Sequence, residues 1–146
     1  LSHLEAKTVD VVRDNFVLTD KTVSSGAITI DEAPSSFVEV GLPYTVEVKT
    51  LPAEPKLSSG VVVSRKRRIL EASPVLDRTQ NIAINGFEVP LETLPYTMGS
   101  VPTTFTGRKR VAPLLGYSDT AQLTFTQTQP LFATVLGVEY KLSTGQ

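Results

Sequence analysis

The chain has 146 residues, 40% of them hydrophobic, and a formal net charge of −1; such a length suits one domain that buries roughly 70% of its unfolded surface. With no cysteine, disulfides, thiol catalysis and thiolate metal sites are excluded; the single histidine, His3, lies at the terminus, so neither a Ser-His-Asp triad nor a multi-histidine zinc site is expected. No apolar run approaches the ~20 residues that span a bilayer, and no signal-peptide pattern is found.

In chain order the hydrophobic period is mostly two. "KTVDVV" sets Val9 and Val11 against Thr8 and Asp10, which predicts a half-buried strand. "GAITID", after a turn supplied by Ser24, Ser25 and Gly26, predicts a second short strand. In "SFVEVGLPYTVEVKTL" Val38 and Val40 oppose Glu39, and Val46 and Val48 oppose Glu47 and Lys49. The "GLPY" between them is too short for a helix and holds a proline, so two strands meeting at a corner are expected. "RRILEASPVLDR" reads either as a turn or two of helix interrupted by Pro74 or, from Ile69 to Ala72, as a strand.

The sharpest local signal is "IAINGFEV", where Asn85-Gly86 suits a two-residue type I′ turn because both central positions need positive φ. Folding about it pairs Ile84 with Phe87 and Ile82 with Val89 on one apolar face, and Ala83 with Glu88 on the other. "AQLTFTQT" alternates Leu123 and Phe125 against Gln122, Thr124 and Thr126, and "FATVLGVEYKL" aligns Phe132, Thr134, Leu136, Val138, Tyr140 and Leu142. Ten prolines disfavour any long helix. The expectation is an all-β chain with little helix, a β-sandwich or barrel that divides into two small lobes, 1–54 and 55–146, the second carrying the Asn85-Gly86 hairpin. The stretches Pro52 to Lys56 and Pro95 to Pro102 are the candidate linkers between lobes.

Chemistry is sparse. Asp31-Glu32 is a carboxylate pair of the kind that fifteen acids produce by chance, and "TDKT" and "DEAP" lack the spacing of a calcium loop. "VSSGAIT" lacks the lysine and second glycine of a phosphate loop. Tyr44, Tyr96, Tyr117 and Tyr140 could line a sugar-binding face, but tyrosines in β domains more often cap the edges of the core. No catalytic residue, metal site or cofactor is expected. The odd feature is a pair of basic clusters, Arg65, Lys66, Arg67 and Arg68, and Arg108, Lys109 and Arg110 at an apparent turn, which hold half of all Lys and Arg. Three readings are open: solvated edges that block unwanted pairing, contact with nucleic-acid phosphates, or an acid–base seam with a neighbouring subunit. Strand geometry sends Arg65 and Arg67 to one side and Lys66 and Arg68 to the other, which splits the charge instead of forming one DNA-binding stripe.

Four segments in order, "LSHLEAKTVDVV", "GAITIDEAPSSFVEVGLPYTVEVKTL", "FTGRKRV" and "GYSDTAQLTFTQTQPLFATVLGVEY", resemble tail tube, or nozzle, proteins of short-tailed bacteriophages and their prophages. The resemblance covers most of the chain. The family usually shows glycine where Ala6 stands, an Asp-Gly turn where Asp14-Asn15 stands, and an acidic residue near Arg108. The resemblance implies a structural component of the virion tail and not an enzyme, acting in tail assembly and genome ejection. Its implied partners are copies of itself in a sixfold ring, other tail proteins such as adaptor or fibre, and phage DNA in passage; the seven basic residues become the candidate subunit interface. The alternative from another class is a carbohydrate-binding or depolymerase module that recognises the host surface. A start at Leu1 and a loop-like "STGQ" end read as a piece of a longer polypeptide.

Overall fold

The computed structural model describes residues 1–30, 36–57, 60–61, 65–91, 103–112 and 116–145. After a 3₁₀ turn at Ser2–Leu4, the strands are β1 (Thr8–Arg13), β2 (Phe16–Thr22), β3 (Val38–Gly41), β4 (Val46–Lys49), β5 (Lys56–Leu57), β6 (Gly60–Val61), β7 (Arg67–Thr79), β8 (Ala83–Ile84), β9 (Phe87–Glu88), β10 (Phe105–Arg108), β11 (Thr124–Gln127) and β12 (Val135–Thr144). All pairings are antiparallel, and the architecture is all-β and sandwich-like. Among the described residues no helix is long and apolar enough to cross a membrane.

The first sheet, ordered β2-β1-β3, uses residues from the start of the chain to Gly41. Val9, Val11 and Val23 are fully buried beneath it, and Leu4, Leu18, Ile28, Ile30 and Val40 pack around them. Val9 to Val11 of β1 spans Lys21 to Leu18 of β2, so β2 carries one extra residue. Asp20 takes a φ of 59° there, and the resulting bulge bends the edge strand. Among the described residues the expected "GAITID" strand forms no ladder over Gly26 to Ile30, and Asp31 lies outside them. Only a bridge between Ser24 and Ala27 is made, because the Glu5 carboxylate holds the turn, accepting hydrogen bonds from Ser25 N (2.9 Å) and Gly26 N (2.7 Å). Those two bonds, Gly26 first, hold the Glu5 carboxyl below its ordinary value.

Two further sheets, β4-β11-β8-β9 and β10-β7-β12, face each other across the larger core. β7 contributes Ile69, Ala72 and Leu76; the opposing sheet and its flanks contribute Ile82, Ile84, Val89, Leu91, Leu123 and Phe125. The ambiguous segment containing Pro74 is thus a 13-residue central strand. A proline is tolerated here because of where its missing donor falls. In an antiparallel ladder the N–H and C=O of one residue point to the same neighbour, and the Pro74 carbonyl accepts from Lys109 N (3.2 Å), just past the end of β10. The absent N–H therefore faces a gap between β10 and the Ala72–Val111 bridge. Extra residues at Leu70 and Leu136 keep β7 and β12 in register over ten residues of β12.

The Asn85-Gly86 turn forms as expected, with φ values of 50° and 81°, and pairs Ala83 with Glu88 and Ile84 with Phe87. Ile82, Ile84 and Val89 are buried, but Phe87 is exposed. The hairpin face is therefore not wholly sealed: the core takes in Val89, just beyond β9, but leaves Phe87 beside the turn in solvent. The division after residue 54 also meets a different partition of pairing. β4 lies within 1–54 yet pairs with β11, so strands change sheet between Gly41 and Val46. Within Pro52 to Lys56, Ala53 is buried in the larger core and donates to Thr120 O (3.1 Å), while Pro52 and Glu54 are exposed. Pro95 to Pro102 lies outside the described residues.

Candidate functional site: an apolar cleft at a free sheet edge

Among the described residues β4 is the outermost strand of its sheet and pairs only with β11, Lys49 opposite Thr124 and Val48 opposite Phe125. Thr124 directs both backbone groups away from β4: its N–H reaches Asn85 Oδ1 (2.8 Å) and its C=O accepts from Asn85 N (2.8 Å). The backbone of Lys49 therefore has nothing to bond on β11, and by strand alternation its N–H and C=O, with those of Glu47, point outward. Thr50 confirms the phase by donating inward to Leu123 O (2.9 Å).

Beside this edge the two facing sheets part. Val46 and Val48 from β4 with Thr50 just after it, Phe125 and Gln127 from β11, and Val135, Gly137 and Val138 from β12 line a cleft of about 410 Å³. Its walls are almost entirely apolar, yet Val48 is 58% exposed and Val46 and Val135 are also open to solvent. Nearby chain segments repeat the pattern. Leu42, Tyr44 and Leu51 flank β4, Phe132 and Leu136 flank or interrupt β12, and all five are more than half exposed. A second groove of about 280 Å³ runs along β3, lined by Asp10, Val12, Glu39, Leu42, Tyr44 and Pro130. Sequence alternation places the valines on one face of β4 but cannot say whether a second layer covers that face. The "VEVK" run between Pro43 and Pro52 was the available signal of a short edge strand.

The basic clusters do not form a common surface of free cations. Arg67 is 4% exposed, and its guanidinium donates to Ala53 O and to Asp119 O (2.8 Å), tying two loops to the start of β7. As a subunit-interface residue Arg67 is corrected: inward strand alternation places it inside. Arg68 stacks over the Tyr117 ring at 5.3 Å. Arg65 and Lys66 are exposed, with no side-chain partner among the described residues. The triplet lies at the end of an edge strand and not at a turn. Arg108 pairs with Glu139 (2.8 Å), Arg110 with Glu71 (2.6 Å), and Lys141 also reaches Glu71 (3.4 Å). Lys109 lies over the Phe105 ring at 5.2 Å. Three cations and two carboxylates thus interlock across β10, β7 and β12, so much of the charge is answered within the sheet.

Among the described residues no three His, Asp or Glu side chains converge where they could hold a metal. Tyr44, Tyr117 and Tyr140 stand apart, on the β3 groove, beneath Arg68 and on β12, and neither groove described above gathers two of them; Tyr96 lies outside the described residues. The chain matches no protein-family model and no curated protein.

Proposed function

We propose that this chain is a structural subunit of a short-tailed phage tail, a nozzle or tube component that assembles with copies of itself and adjoining tail proteins along the path of the leaving genome. The observation that carries the assembly role is the apolar cleft with its exposed flanks. Monomeric proteins rarely leave large contiguous apolar surface open, and such surface rimmed by polar residues marks a contact. Here Thr50, Thr126 and Gln127 supply the few polar groups among the apolar residues that line the cleft.

The tail assignment rests on the four-segment resemblance, and two departures from that pattern make physical sense. Ala6 has a φ of 59° and Asn15 a φ of 67°. Both stand where the family usually has glycine, the residue that occupies positive φ without steric cost. Both positions thus hold a conformation that glycine would adopt without strain, which supports the resemblance. In this reading the protein is not an enzyme, needs no cofactor and works in the virion. Arg65 and Lys66 are the cations available to an acidic neighbour or to passing DNA, while Arg108 and Arg110 carry counter-charges of their own.

The test is electron microscopy of the purified chain, alone and mixed with the portal-proximal and distal tail proteins encoded beside it. Rings or defined complexes are expected. Binding to a glycan array with no self-association and no complex with those neighbours would replace this reading with host-surface recognition.

A further inference from the structure

We infer that two copies of this chain join through their β4 edges as an antiparallel, twofold-symmetric pair centred on Val48, which fuses the two four-stranded sheets into one. The inference goes beyond the tail assignment and stands on the edge alone. Glu47 and Lys49 present outward backbone N–H and C=O groups, as the Thr124 and Thr50 bonds require. An added antiparallel strand must match outward residues with outward residues. That parity rejects every register whose axis passes between two residues.

Charge decides among the rest. An axis at Glu47 sets that carboxylate against its own copy, and an axis at Lys49 does the same with two ammonium groups; like charges directly opposed are destabilising. An axis at Val46 sets Lys49 against Pro43 of the second copy, which has no N–H to exchange. With the axis at Val48, Glu47 faces Lys49 of the second copy and Lys49 faces Glu47 of the second copy. Each such pair exchanges two backbone hydrogen bonds. On the other face Val48 meets Val48 and Val46 meets Thr50, all three being residues that line the cleft. The pairing therefore covers the exposed valines, satisfies the free edge and matches both charges in one register. Such an isologous contact suits rings meeting face to face or pairs within a dihedral ring.

The test is a charge swap, read by sedimentation velocity on the whole chain up to about 1 mM, where even weak association registers. The parent is expected to form dimers. Glu47→Lys makes both opposed pairs Lys–Lys, and Lys49→Glu makes both Glu–Glu, so each variant alone should self-associate about tenfold more weakly or worse. Mixed together, the two variants restore opposite charges at both pairs and should form heterodimers as tight as the parent dimer, as should the double variant Glu47→Lys/Lys49→Glu with itself. Both positions are solvent-facing, and unchanged circular dichroism confirms folding of each variant. A parent that stays monomeric, single variants that associate like the parent, or a mixture that remains monomeric would overturn the inference. A dimer that responds in this way, but builds no complex with tail proteins, would leave the pairing intact and remove the tail assignment instead.

Discussion

Arg67 illustrates how one side chain can belong to a conspicuous charged run and still be part of the interior. Its neighbours Arg65 and Lys66 are in solvent, while its own guanidinium bonds the carbonyls of Ala53 and Asp119. Buried acceptors left without a donor cost about 1–3 kcal/mol each. Arg67→Ala should therefore lower stability by about 2–5 kcal/mol in urea unfolding, against less than about 0.5 kcal/mol for Arg65→Ala. Equal effects would place Arg67 outside. Glu5 offers a pH-dependent counterpart. Its carboxyl is lowered by the Gly26 and Ser25 N–H groups, so the stabilisation of that turn is present above the ordinary carboxylate range and is lost as pH falls through the lowered value. Amide-exchange protection of Ser25 and Gly26 should hold at neutral pH and drop in acid, and Glu5→Gln should weaken it at neutral pH. Protection unaffected by the substitution would mean that the carboxylate does not hold the turn.

Strands show which parts of the fold the sequence makes legible. The Asn85-Gly86 hairpin was readable because turn chemistry and side-chain period are both local. β1, β3 and β4 were readable from alternating valines. β7 was only half readable, since Pro74 argues against a central strand unless the neighbouring edge leaves a gap beside it, and that gap is a tertiary fact. The same limit hid the fate of Phe87. Pairing places it opposite the fully buried Ile84, but the facing sheet stops short of it. Ile84→Ala should cost about 2–5 kcal/mol, and Phe87→Ala well under half as much because its ring already meets water. Similar losses at the two positions, measured by denaturant unfolding, would mean that the core extends over Phe87. The candidate site was least legible of all. Alternation marks the valines of β4 as apolar-facing, whereas their exposure depends on where β12 departs from β11.

At the scale of the molecule, the described residues hold two cores and a sheet edge, β4, with apolar side chains open beside it. The basic residues that first draw notice are largely absorbed, Arg67 into the interior and Arg108 and Arg110 into a charge ladder with Glu139 and Glu71. The exposed apolar side chains around β4 and β12 are not absorbed, and they are the surface on which the proposed assembly would depend. Sedimentation velocity of the unmodified chain over a wide concentration range tests that claim most directly. The account predicts a shift from the monomer mass of 15.8 kDa to dimers or larger closed assemblies as concentration rises. A single species of monomer mass at every concentration would contradict it.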